Sequence, residues 1–374
     1  MSSFSTLPLL PTLLASIAEL GFKRPTDIQA QTLKPLLDGR NLVGVSETGS
    51  GKTLAYVLPL LQLLKTLELG GSAVTSPGCP RGLVVVPGRE LGEQVSRVFK
   101  GLTHGTRLRV RTALGGTKKQ IARQSVSGNF EILVATPGRL VQLLDGGELR
   151  LSDLRMVVFD EADSLLDPGF LPIAKRVVED CQHHVQVVLF SATLPESLER
   201  VVGSLFAKEP VRVRTHGSQQ VVPTLATDNR KVANRDERYA MLRKALNEAP
   251  GQSAMLFVNT RDQCEAVAGW LNEEGFAFVN YRGEMDRKER RYNLAKFRDG
   301  TVPLLLTTDL GGRGLDIERL DRVINVHLPQ DLDNYLHRVG RTARAGRSGV
   351  VVNLVTPRDH PLIAKLDKRE EKRR

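Results

Sequence analysis

Two short runs hold the groups from which chemistry can be built. The first is Ser46-Glu47-Thr48-Gly49-Ser50-Gly51-Lys52-Thr53. It follows an apolar, β-branched run and opens a helical pattern, which is the setting of a phosphate-binding loop. Gly49 and Gly51 let backbone N–H groups turn inward with no side chain in the way. The helix start behind them adds partial positive charge toward a phosphate. Lys52 is the cation for the β- and γ-phosphates, and the Thr53 hydroxyl is placed for Mg²⁺. The strict pattern begins with Gly where this chain has Ser46, which is still small. The second run is Met156-Val157-Val158-Phe159 leading into Asp160-Glu161-Ala162-Asp163. Carboxylates at the C-terminal end of a buried parallel strand stand at the ligand edge of an open α/β sheet. Asp160 then holds Mg²⁺, and Glu161 polarises an attacking water. Alone, four such residues would be a helix start with dipole-matched charges; beside a phosphate loop they read as catalytic.

The elements that must position these groups recur in two tracts. The first has apolar runs at Asn41–Val45, Leu83–Val86, Ile132–Ala135, Met156–Phe159 and Val187–Phe190. The second has them at Met255–Val258, Phe276–Val279, Leu304–Leu306, Val323–Val326 and Val350–Leu354. Such continuous runs suit strands buried on both faces. Helical patterns lie between them; Leu54, Val57, Leu58, Leu61 and Leu64 keep one face apolar. Alternation of this kind predicts parallel sheets covered by helices, twice over. The polar stretch 216–223 is the expected linker. Gly70–Pro80 is a second linker candidate, read as a surface loop inside the first domain. The basic tail Lys365–Arg374 reads as a frayed, solvated helix.

Composition narrows the function classes. The chain has 374 residues, with 53 Lys and Arg against 42 Asp and Glu, a net charge of +11. That length fits two domains, and the excess cation points to a polyanion, nucleic acid ahead of a membrane. Solubility by net charge is the bland alternative. Aromatics are only 5%, which argues against a stacking-rich sugar-binding module. Cys79, Cys181 and Cys264 form no CxxC pair, which fits a reducing compartment and argues against a disulfide framework or a cysteine zinc site. The apolar stretch Leu7–Leu14 has no charged segment before it and reads as a short amphipathic helix, not a signal peptide. No apolar run is long enough to span a bilayer.

Taken together, Ser46–Thr53 and Asp160-Glu161-Ala162-Asp163 resemble the DEAD-box ATP-dependent RNA helicases of superfamily 2, and the resemblance runs from Phe4 to about Thr356. It implies two tandem RecA-like domains, each a mainly parallel sheet with helices on both faces. The divisions are a Q-motif region at 1–30, an ATP-binding domain at 31–215, a linker at 216–223, a helicase C-terminal domain at 224–360 and a charged tail at 361–374. Phe22 and Gln29 lie in a stretch similar to the adenine-reading Q motif; an amide donates and accepts at once, as adenine requires. Ser191-Ala192-Thr193, with Asp163, resembles the motif that couples nucleotide state to domain closure. Arg89, Gly116, Thr136 and Arg139 in domain one match the family's RNA-backbone contacts, as do Arg282, Gly283, Arg290 and Thr308 in domain two. Asp316 is the ribose candidate. His337, a coupling residue, and Arg341 and Arg344, the arginine fingers, lie in the last motif; if that segment is helical, all three share one face.

This chain departs from the family's usual pattern at several positions. Gly88 stands for a Thr, Gly92, Gly311 and Gly312 for Ala, Ala343 for Gly, Arg282 for His and Arg287 for Gln. None is a presumed chemical residue; they bear on RNA grip and interdomain coupling. The resemblance implies a cytoplasmic, monomeric ATPase with ATP and Mg²⁺ as cofactors. ATP would sit in the cleft between the domains, and RNA would drive closure and local, non-processive duplex melting. Two rivals stand beside it: an ATP-dependent RNA clamp that scarcely turns over, and a DNA translocase.

Overall fold

The computed structural model describes residues 3–371, apart from 48, 117–118, 166–170, 182–184, 195–198, 200–202, 207, 216–224, 284, 313–314, 316, 318–319 and 343–347. The chain forms two compact units, Met1–Ser218 and Gln219–Arg374. The expected linker at 216–223 lies outside the described residues.

Seven strands of the first unit are described: β1 (Leu42–Val45), β2 (Gly82–Val85), β3 (Val110–Ala113), β4 (Ile132–Ala135), β5 (Met156–Asp160), β6 (Gln186–Ser191) and β7 (Val211–Arg214). They lie in the order β3-β4-β2-β5-β6-β1-β7, every pair parallel. The five strands expected from apolar runs are the interior ones, buried throughout. Their side chains alternate between two cores. Leu42, Val84, Val134, Val158 and Val188 enter one; Val43, Leu83, Leu133, Val157 and Leu189 enter the other. A strand covered on both faces has no polar face, so its sequence shows no alternation. The edge strands β3 and β7, half-exposed and carrying Arg111, Arg212 and Arg214, lack that signature.

The helix Lys52–Leu69 differs from expectation. It is buried on all sides from Leu54 to Leu61, not on one face. It lies under its neighbours Asp27–Leu37 and Arg89–Thr106 as well as against the sheet. The N-terminal helix begins at Pro11 rather than Leu7, after a 3₁₀ turn at Phe4–Thr6; proline at the first helical position fixes the start.

The second unit repeats the plan with β8 (Leu225–Lys231), β9 (Ala254–Val258), β10 (Phe278–Tyr281), β11 (Leu304–Thr308), β12 (Arg322–Asn325) and β13 (Gly349–Val355). The order is β10-β11-β9-β12-β13-β8, again parallel. β8 reads Leu-Ala-Thr-Asp-Asn-Arg-Lys and has no apolar run; it is a polar edge held by seven residues of register with β13. The segment expected as a solvated tail, Lys365–Arg374, overlaps the helix His360–Glu371, which buries Leu362 and Leu366 in the unit's core. Two leucines four residues apart, with Ile363 packed against the core beside them, suffice to dock a helix whose last turn is charged.

Candidate nucleotide site and nucleic-acid interface

Strand order sorts the functional loops along one edge of the first sheet. The loops after β1, β6 and β5 carry the phosphate loop, Ser191–Thr193 and Asp160–Asp163. Those after β2, β4 and β3 carry Arg89, Thr136 and Gly116. Since the strands are parallel, all six loops leave the same edge.

In the phosphate loop, Gly49 and Gly51 have φ of 86° and 92°, values that favour glycine. A Cβ on Gly51 would also lie 2.5 Å from Gln29 Nε2. Lys52 starts the helix and is 9% exposed. Its ammonium donates to the carbonyls of Ser46 and, at 2.9 Å, Glu47. Burial lowers its pKa, opposed by the charges of Asp160, Asp163, Glu161 and Glu47. The Ser46 hydroxyl accepts from Thr215 Oγ1 at 2.8 Å, and the Ser46 N–H donates to the Ser191 carbonyl at 3.0 Å. The loop is thereby tied to the strands on either side, β6 and β7, in part through a group that glycine lacks. Glu47 is pushed up by burial, against the pull of Lys52. Ser50 Oγ donates to the Glu47 carbonyl. Thr48 lies outside the described residues.

Asp160 ends β5 and is buried. Its Oδ2 accepts from Tyr56 Oη at 2.8 Å and its Oδ1 from the Glu161 N–H at 2.9 Å. Burial raises its pKa to about 6, against the lowering by Lys52. Glu161 has φ of 52°, an uncommon conformation for a side-chain-bearing residue, and its buried Oε2 has no hydrogen-bond partner. Thr53 and Asp160 supply hard oxygen donors that suit Mg²⁺, an ion that is usually held by one or two carboxylates, phosphates and waters. No cluster of three or more metal-binding side chains occurs among the described residues.

Asp163 joins the predicted coupling residues. Its Oδ2 accepts from Thr193 N at 3.1 Å and Thr193 Oγ1 at 3.0 Å, and its N–H donates to Ser191 Oγ at 3.2 Å. Gln29 is 4% exposed. Its Oε1 accepts from Thr26 N and its Nε2 donates to the Gly51 carbonyl, both at 3.0 Å. The predicted base reader therefore also links the first helices to the phosphate loop. Phe22 is 48% exposed.

On the other half of the edge, Arg89 donates to Glu93 Oε1 at 2.7 Å and to the Gly115 carbonyl at 2.8 Å. Thr136 Oγ1 accepts from Gly115 N at 3.0 Å. Gly116 has φ of 77°. Arg139 Nη1 donates to Gln142 at 2.7 Å. Three predicted contacts, Arg89, Gly116 and Thr136, thus meet around one glycine turn. At Gly88 a Cβ would have no neighbour closer than 4.0 Å, so sterics do not require glycine there. At Gly92 a Cβ would collide with Leu114, so the missing methyl makes room for a leucine.

In the second unit, Arg282, Gly283 and Arg290 follow β10, and Thr308 ends the adjacent β11. Arg290 lies over the Tyr281 ring, 5.3 Å from its centroid, and donates to the Gly283 carbonyl. Arg282 Nη1 reaches Glu265 at 3.3 Å. Gly311 and Gly312 sit where a Cβ would meet Tyr281 O at 2.6 Å and the Phe257 ring at 2.7 Å, so their short helix lies directly on the sheet. The helix Leu332–Val339 contains His337, which is buried. It is capped at Gly340, so Arg341 follows the helix and the shared-face argument fails. Arg341 Nη1 donates to the Leu315 carbonyl at 2.7 Å. Arg344 and Asp316 lie outside the described residues.

Sequence reasoning passed over Arg338. It is 1% exposed and pairs with both carboxylate oxygens of Asp309, at 2.5 and 2.7 Å. It also donates to Asn259, Asn325 and the His327 carbonyl and lies over Phe257. It ties the loop after β11 to the helix of the last motif. Its place between two motif residues was the available signal.

The fold and site define a two-unit α/β nucleotide-binding protein. The family models DEAD/DEAH box helicase and Helicase conserved C-terminal domain match residues 26–201 and 237–346, and the chain belongs to the DEAD-box family of ATP-dependent RNA helicases. It is 34% identical to ATP-dependent RNA helicase SrmB of Escherichia coli, over 98% of this chain and 81% of SrmB. It is also 34% identical to DEAD-box ATP-dependent RNA helicase 39 of Arabidopsis thaliana, over 98% of this chain but 61% of that relative. Among solved structures it is similar to S. cerevisiae Dbp5 bound to RNA and ADP BeF3, with a TM-score of 0.86, 26% identity, and coverage of 99% of this chain and 93% of that one.

Proposed function

We propose that this chain hydrolyses ATP in response to RNA and uses the cycle to open short duplexes or remodel RNA–protein complexes locally. The observation that carries this is the sorting of one sheet edge into a phosphate-and-carboxylate half and an arginine-and-glycine half. Small residues, helix starts and arginines suit a nucleic-acid backbone rather than base edges. The two halves meet at β2 and β5, adjacent strands.

Lys52 turns from its carbonyls to the β- and γ-phosphates, whose charge favours its protonated form. Thr53 and Asp160 would hold Mg²⁺, which when bound neutralises phosphate charge. The unpartnered Oε2 of Glu161 takes a hydrogen bond from the attacking water. Gln29 and Phe22 hold the adenine, and Asp316 the ribose. Arg341 and Arg344 act as arginine fingers toward the γ-phosphate, and Asp163, Ser191, Thr193 and His337 report nucleotide state. We assign Arg89, Gly116, Thr136, Arg139, Arg282, Gly283, Arg290 and Thr308 to the RNA backbone. No helix among the described residues is long and apolar enough to cross a membrane. We expect a cytoplasmic setting. We expect a monomer.

Phosphate release measured alone, with RNA and with DNA tests this. RNA stimulation together with melting of a short duplex is expected. Equal stimulation by DNA would favour a translocase. ATP-dependent RNA retention without turnover would make the chain a clamp.

A further inference from the structure

One tyrosine ties Asp160, one of the two residues suited to Mg²⁺, to the helix that carries the other, Thr53. Tyr56 lies one turn into the helix Lys52–Leu69 and is fully buried. Its hydroxyl donates to Asp160 Oδ2 at 2.8 Å. Thr53 and Tyr56 are three residues apart, hence on one helical face, whereas Asp160 arrives from β5, 104 residues along the chain. A phenol has a single proton. The carboxylate accepts it, so the helix that carries Thr53 also fixes how Asp160 is turned.

We propose that Tyr56 is a positioning residue that orients Asp160 beside the helix of Thr53 before the metal arrives, so that Mg²⁺–ATP meets a carboxylate already turned to receive it. This rests on the nucleotide reading above and adds a residue to it. The ring has a separate structural part, since it packs on Phe190, centroids 5.7 Å apart, within the core beneath β1 and β6. Tyr56→Phe keeps that packing and deletes only the bridge, so it separates the two roles.

The test is binding of a fluorescent ATP analogue during Mg²⁺ titration, with a parallel series in EDTA. For Tyr56→Phe, metal-free affinity should match wild type. The Mg²⁺ concentration that gives half-maximal tightening should rise roughly tenfold to a hundredfold, as when groups that orient metal ligands are lost. Turnover at saturating Mg²⁺ should recover most of its wild-type value, a KM effect on the metal rather than a kcat effect. Tyr56→Leu, which also loses the ring, should melt at lower temperature and bind worse even in EDTA. An unshifted Mg²⁺ midpoint in Tyr56→Phe would leave the hydroxyl without a positioning role. Equal weakening with and without metal would reduce it to packing, and would also overturn the proposal. Failure of the wild type to bind the analogue with any Mg²⁺ would instead refute the nucleotide reading itself.

Discussion

The most exposed consequence of the site is that Asp160 should cost the nucleotide-free protein stability. Its pKa is raised from 3.8 to about 6, chiefly by burial. Two units correspond to roughly 3 kcal/mol against the ionised form. The sign follows from proton binding. Between about pH 4 and pH 6 the native state holds a proton that the unfolded chain has released, so stability falls as pH rises through that window. Above about pH 6 the full cost is present. Asp160→Asn removes the charge but keeps an acceptor for Tyr56. The gain is offset because Asp160 is the strongest support for the charge of Lys52; the Ser46 and Glu47 carbonyls remain. We expect a net gain of roughly 1–3 kcal/mol at pH 7, hence a few degrees in the melting of the first unit. At pH 4 the two proteins should melt alike. The assay is thermal melting of the nucleotide-free protein from pH 4 to 8, with Mg²⁺–ATP binding as the functional counterpart, which the variant should lose. A less stable variant at pH 7, or an unchanged pH slope, would show that Asp160 is not held at a cost.

Gln29→Ala should erase discrimination of ATP from GTP and loosen the phosphate loop, since one amide serves both; competition binding with the two nucleotides reads it. Glu161→Gln should lower hydrolysis by about 10²–10³-fold, as when one preorganised electrostatic contact is lost, and should slow RNA release under ATP. Arg338→Ala should destabilise the second unit by roughly 3–5 kcal/mol, because Asp309 loses its bidentate partner; denaturant unfolding measures it. Arg341→Ala should spare ATP binding yet reduce RNA-stimulated hydrolysis by about 10³-fold, seen in steady-state phosphate release.

Chemistry and interior strands were legible because they depend on local spacing. The phosphate loop is eight consecutive residues, and a strand buried on both faces writes its burial directly as an apolar run. What sequence reasoning passed over depends on distant partners. By spacing alone Ser46 is a weak glycine substitute; its hydroxyl gains a purpose only from Thr215, 169 residues away. Tyr56 is one more apolar helix position until β5 brings Asp160 to its oxygen. β8 has no signature of its own because it borrows its register from β13. Arg338 is hidden by its motif neighbours, His337 and Arg341, whose supposed common helix face ends at Gly340.

The charges of the site also show why it should respond to its ligands as a unit. Burial pushes Lys52 down and Glu47 and Asp160 up, so all three are pressed toward neutrality. Glu161 holds an uncommon backbone angle and an unpaired carboxylate oxygen. On the proposed reading, most of these costs would be lifted by something a nucleotide brings: phosphate charge for Lys52, a cation for Asp160, a polarised water for Glu161. Asp163, two residues beyond Glu161, is bonded to Ser191 and Thr193, so we expect relief at the phosphates to shift the β6 loop as well. Linkage then makes the effect reciprocal: any ligand that favours that shifted loop must tighten nucleotide binding by the same factor.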